Sequence, residues 1–132
     1  MSRELFWLTL TIAMTGLFWI PYILDRAAVR GLMGAMDNPD PRATPQSPWA
    51  VRMQAAHYNA VENLVMFAPL VLILRELNIS TATTAAACMV FFWARLGHFI
   101  AYAAGIPVVR TLIWTIGWLA QAVLLLAIFR IV

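Results

Sequence analysis

Four long apolar runs, separated by polar punctuation, divide the chain: Leu5 to Leu24, His57 to Leu74, Thr81 to Ala104 and Thr111 to Phe129. A helix crosses a hydrocarbon core of roughly 30 Å with about 20 apolar residues, and in lipid a helix satisfies its own backbone hydrogen bonds. The pattern predicts an all-α fold: one domain over residues 1–132, an integral membrane bundle of four helices. The one sizeable loop covers residues 25–47. It opens with "DRAAVRGLMGAM", read as a continuation of the first helix, and passes into "DNPDPRATPQSP", whose prolines preclude regular structure. Ser47-Pro48 reads as a helix start, with Ser as N-cap and Pro at the first helical position. The other connections, "RELNIS" and "AGIPVV", are short, so neighbouring helices run antiparallel, up and down.

Composition agrees with this pattern: 63% of residues are hydrophobic and 11% charged, against about half and a quarter in a soluble domain. A secretory signal peptide is the competing reading of the first run. That run is too long for one, lacks a small-residue cleavage site and ends in Pro21-Tyr22. The lone Cys88 sits mid-span and reads as a packed thiol. All nine basic residues are arginines, against six acids. In so apolar a chain, a basic balance speaks of membrane orientation and not of nucleic acid. Arg26, Arg30, Arg42, Arg52 and Arg110 gather at the first and third loops, which places those loops in the cytoplasm and both termini outside.

His57, Glu62, Arg95 and His98 lie within the spans. An arginine or carboxylate at membrane depth costs about 2.5 to 3.5 kcal/mol, so each needs a partner or water. From the cytoplasmic boundary Glu62 lies roughly 8 Å deep, His98 roughly 9 Å and Arg95 roughly 13 Å. Helical spacing puts Arg52, Ala55, Asn59 and Glu62 on one face of the second span, and Arg95, His98 and Tyr102 on one face of the third. Arg110 and Thr111 open the fourth span on the same side. Together these predict one wet recess, where arginines around a carboxylate suit an anionic or zwitterionic ligand.

Plainer readings stand beside this one. Glu62 and Arg95 pair and lock two helices; His57 reaches for water; Arg110 and Tyr102 anchor at the interface; Trp7, Trp19, Trp49, Trp114 and Trp118 form an aromatic belt. A proton or ion pathway ranks low, because Gln121 is the single polar group offered by the outer half of the fourth span.

"WAVRMQAAHYNAVENLVMFAPLVL" resembles the second-helix signature of the MAPEG family, the membrane-associated proteins in eicosanoid and glutathione metabolism. "FWARLGHFIAYAAGIPVVRTLIW" looks like the matching third-helix signature. The resemblance spans essentially the whole chain. It implies a homotrimer with glutathione as cosubstrate at each subunit interface near the cytosolic face. It further implies that Arg110 stabilises the thiolate beside Thr111, and that Asn59 and Glu62 meet the peptide backbone and amino group. His98 and Tyr102 would line the same pocket, and Arg26 or Arg30 would meet a carboxylate. The sequence departs from the pattern where glutathione-using members carry an arginine and this chain has Ala55, the nearest arginine being Arg52. It departs again where Asn63 replaces a common aromatic.

The leading expectation is therefore a glutathione-dependent transferase or peroxidase acting on hydrophobic small molecules. The other is a non-catalytic lipid-binding or scaffold protein of the same fold. Either would sit among membrane lipids, and the short chain with this version of the signature looks bacterial, hence inner-membrane.

Overall fold

A computed structural model describes residues 1–132, and all of its regular structure is helical. Helices α1 (Arg3–Leu17) and α2 (Trp19–Met36) form one long rod with a break at Phe18. The break has a local cause. Pro21 has no N–H to give the carbonyl of Leu17, and the Phe18 N–H turns instead to the Thr15 carbonyl, at 3.2 Å. The rod continues past the apolar run, as the sequence suggests, but Gly31 interrupts it with φ 73°. Residues 37–47 then form bends and turns without a helix.

Helix α3 (Pro48–Glu76) is 29 residues long, roughly 43 Å, so part of it stands clear of a bilayer core. Pro48 occupies its first turn as expected, but the Ser47 side chain makes no capping bond. The Ser47 backbone N–H goes to the Asp25 carboxylate at 3.0 Å instead, which ties the loop's end back to α2. Helix α4 (Ala82–Ala104) opens on a capping box between Thr81 and Thr84 and closes on Gly105, left-handed at φ 76°. Helix α5 (Pro107–Ile128) starts at Pro107, one turn before the expected Thr111, because a proline at the first helical position forfeits no intrahelical bond.

α4 is the central helix. Of its most apolar stretch 56% is buried, against 22%, 22% and 28% for the other three long helices. Ala85, Ala87, Ala94, Ala101 and Ala103 are buried on it, and small residues of this kind let α1, α3 and α5 approach closely. Two ring stacks fix the packing: Phe67 on Phe91 at 3.9 Å, and Phe18 on Phe99 at 3.7 Å. Cys88 is fully buried in the larger cluster, as a packed thiol. Large apolar side chains such as Leu24, Val65, Met66 and Leu112 are exposed. In a chain with four membrane-length helices that exterior belongs against lipid or another subunit.

Candidate functional site

A groove runs between α3 and α5, with a cavity of about 450 Å³. On α3 it is lined by Asn59, Glu62, Asn63, Met66 and Leu70, and on α5 by Trp114, Trp118, Gln121, Ala122 and Leu125. Both sets recur at three- and four-residue intervals, so each is a single face of its helix. The groove is amphipathic: three amides and one carboxylate stand among indoles and aliphatic chains.

The amides form a ladder. Gln121 Nε2 donates to Asn63 Oδ1 at 3.2 Å, and Asn63 Nδ2 donates to the Asn59 carbonyl at 2.8 Å. Asn59 Oδ1 in turn accepts from Arg95 Nη1 at 3.3 Å. Arg95 lies behind the groove with 1% of its surface exposed. Its Nη2 donates to the Trp114 carbonyl at 3.3 Å, and its guanidinium carbon sits 5.6 Å from the Phe91 ring centre. Nε is buried without a partner. Gly117 makes this possible, because a Cβ there would come within 2.7 Å of Arg95 Nη2.

The expected Glu62–Arg95 pair is not formed. The single ion pair within 4.0 Å in the chain joins Arg42 to Asp40 on the exposed loop. Asn59 and Glu62 share a stripe only approximately, since three residues turn a helix by about 300°. That offset turns Asn59 inward to Arg95 and leaves Glu62 exposed on the groove wall.

The other expected residues are distributed around this centre and do not form one recess with Glu62. His98 is buried inside the bundle at 3% exposure, its ring edge-on to Tyr102 at 5.6 Å. Arg110 lays its guanidinium over the Tyr102 ring at 4.2 Å, a cation–π contact that leaves the charge intact. Thr111 turns its hydroxyl to the Pro107 carbonyl at 2.9 Å and lies away from the groove.

Arg52, Arg26 and Arg30 are engaged elsewhere, each through Nε. Arg52 donates to the Ala103 carbonyl at 2.9 Å and packs against Gly105, closing the C-terminus of α4. Arg26 meets Gln46 Oε1 at 3.4 Å and Arg30 the Thr44 carbonyl at 2.7 Å, which holds the loop to α2. His57 is not a free interfacial residue: its Nδ1 lies 2.9 Å from the Tyr22 hydroxyl. Trp114 and Trp118 are groove walls and not only belt residues. Pattern reading undervalued Asn63 and Gln121, which look isolated on their own helices. Their partnership shows only once α3 and α5 are side by side.

Such a groove offers hydrogen bonds and one uncompensated carboxylate among lipophilic side chains. The model of the MAPEG family matches residues 5–130. The chain belongs to the MAPEG family. Comparison with curated proteins and with solved structures gave no match. The MAPEG family includes glutathione transferases and related members and is generally associated with glutathione. In this MAPEG protein the polar residues of the two signature stretches, Asn59, Glu62, Arg95, His98 and Tyr102, lie on the two neighbouring helices α3 and α4.

Proposed function

We propose that this MAPEG protein is a glutathione-dependent transferase or peroxidase that acts on lipophilic electrophiles as a homotrimer. In that arrangement the first and third loops are cytoplasmic and the host is a bacterial inner membrane. The observation that carries this reading is Glu62, an exposed carboxylate on a membrane-length helix, the one charged residue lining the groove. Facing acyl chains it would cost about 2.5 to 3.5 kcal/mol. A neighbouring subunit and a ligand with an ammonium group remove that cost together.

The residues present suit glutathione in part. Glu62 and Asn59 accept hydrogen bonds from an amino group and a peptide backbone, while Arg110 keeps a cation at the mouth of α5. His98 and Tyr102 set the position of Arg110, Tyr102 by direct stacking. Thr111 stands beside it, and Arg26, Arg30 and Arg52 each spend only Nε on the fold, leaving terminal nitrogens for a carboxylate. Glutathione supplies a thiol whose sulfur bonds to the electrophilic carbon as the leaving group departs with its electron pair. Arg110 favours the thiolate over the thiol, lowering a pKa of about 8.5 toward neutrality. The apolar groove wall holds the lipophile next to it, replacing a two-phase encounter by proximity.

The test is glutathione conjugation of an aryl halide by the purified oligomer. Arg110→Ala is expected to lose about tenfold or more of the rate at neutral pH, with the deficit closing as pH rises and thiol ionises unaided. Failure to bind glutathione at millimolar concentration would defeat the proposal. Ala55, exposed on α3 where glutathione-using members carry an arginine, together with the lack of any cation in the groove lining, favours a second reading. This is a non-catalytic lipid-binding or scaffold protein, which predicts lipid copurifying in the groove and indifference to glutathione.

A further inference from the structure

The end of the bundle that holds the N-terminal turn of α1 and the connection between α3 and α4 carries a second polar site, which shares no lining residue with the groove. Glu4 is a carboxylate with 3% of its surface exposed. Its Oε1 accepts from Thr84 Oγ1 at 2.7 Å and from Ser80 Oγ at 3.0 Å, and its Oε2 lies 3.1 Å from the same Ser80 hydroxyl. No cation stands within 4.0 Å of it. The two hydroxyls orient this carboxylate, and the N-terminal turn of α1, in which it sits, favours its negative charge, but no full positive charge offsets it.

Glu4 opens onto a cavity of about 220 Å³, whose lining includes Arg75, Asn78 and Ser80 over a floor of Val71, Leu74 and Ile79. Arg75 is exposed and makes no ion pair, although it sits one residue from Glu76. One small cavity thus presents an anion that lacks a cation and a cation that lacks an anion. It lies at the end of membrane-length helices, where Leu72 and Ile73 face outward.

We propose that this cavity binds the headgroup of a zwitterionic phospholipid with a primary ammonium, the ammonium on Glu4 and the phosphate on Arg75. A primary ammonium donates N–H bonds to the lone pairs on Glu4 that Ser80 and Thr84 leave free. A trimethylated ammonium has no N–H to give, and a glycerol headgroup has no positive charge. A guanidinium receives a phosphate with paired donors. Acyl chains attached to such a headgroup continue along the apolar surface of α3. The site stands independently of the groove and of any glutathione chemistry.

The experiment reconstitutes the full-length protein in nanodiscs of equal parts phosphatidylethanolamine, phosphatidylcholine and phosphatidylglycerol, re-extracts it in mild detergent and quantifies retained lipid by class. Wild-type protein is expected to enrich phosphatidylethanolamine over both others by about tenfold, the scale of one charge-assisted hydrogen bond. Glu4→Gln, which still accepts from Thr84 and Ser80, is expected to bring phosphatidylethanolamine down to the phosphatidylcholine level. Arg75→Gln is expected to lower retention of all three, and Glu76→Gln to change nothing. Should Glu4→Gln fail to fold, Ser80→Ala, which loosens the carboxylate without removing it, is expected to cut the enrichment. Equal retention of the three lipids by wild type, or enrichment untouched in every variant that folds, overturns the proposal. So does displacement of the retained lipid by equimolar soluble glycerophosphoethanolamine, which would make the ligand a free metabolite and not a membrane lipid.

Discussion

Arg95 and Glu62 are charged groups at similar depth on neighbouring helices, and the fold treats them in opposite ways. Arg95 is withdrawn to 1% exposure and given an amide oxygen, a backbone carbonyl and an aromatic face. Glu62 is left open on the wall of the α3–α5 groove with no cation in reach. The charge that α4 carries at the centre is solvated by one chain alone. The charge that α3 carries outward is not, since no side chain of the protein forms an ion pair with it. Of this pair, the buried charge reports on folding, and the exposed one bears on the proposed function.

The sharpest way to break that contrast is Arg95→Ala. Separated helices would leave the guanidinium in lipid at a cost of about 3 kcal/mol, so the bundle gains roughly that much by enclosing it. Arg95→Ala is expected to lose about 3 kcal/mol of unfolding free energy in detergent or bilayer. Its loss strands Asn59 Oδ1 and the Trp114 carbonyl and opens a void against Gly117. Arg95→Met, which keeps bulk and drops charge, is expected to retain at least half of the deficit. Wild-type stability in Arg95→Met would mean that bulk, and not charge, joins the helices.

Glu62→Gln probes the opposite member and is expected to separate the two readouts. Stability should change by about 0.5 kcal/mol or less, the usual range for a surface position. Glutathione affinity, measured by titration calorimetry on the oligomer, should fall about tenfold with the loss of one charge-assisted bond. If binding survives while stability drops, Glu62 belongs with Arg95 among the groups that hold the fold, and the contrast fails.

The four long helices could be read directly from hydropathy, because apolar length is a one-dimensional property and lipid enforces it. So could the irregular stretch before Ser47, from its prolines. What could not be read was pairing. Asn59 and Glu62 differ by about 60° around α3, and spacing alone does not say which of them turns toward α4; the structure gives Asn59 to Arg95. Tyr22 with His57 and Gln121 with Asn63 join residues 35 and 58 positions apart, with no local signal in either partner. Glu4 carries no local signal of its own, although Ser80 in the α3–α4 connection and Thr84 in the first turn of α4 hold its two oxygens. The hydroxyl of Thr111 shows the same limit, because α5 begins at Pro107 and the hydroxyl bonds back to that turn.

The smallest effect concerns the far end of the amide ladder, where the contrast between enclosed and open polar groups narrows to a single bond. Gln121 is 8% exposed and gives its amide to Asn63, whose own amide is already committed to the Asn59 carbonyl. Gln121→Leu removes that donor and leaves Asn63 Oδ1 facing the apolar groove. Side-chain hydrogen bonds between membrane helices average about 0.6 kcal/mol, and a loss of that size is expected in unfolding free energy. A double-mutant cycle with Asn63→Leu isolates the pair: if the two substitutions are additive within error, the bond contributes nothing and the ladder ends at Asn59. If the cycle closes with about 0.6 kcal/mol of coupling, α3 and α5 are fastened along the groove. In that case the amides of the groove are a fixed feature of the chain, and Glu62 is the charged group of the groove that the fold leaves unpaired.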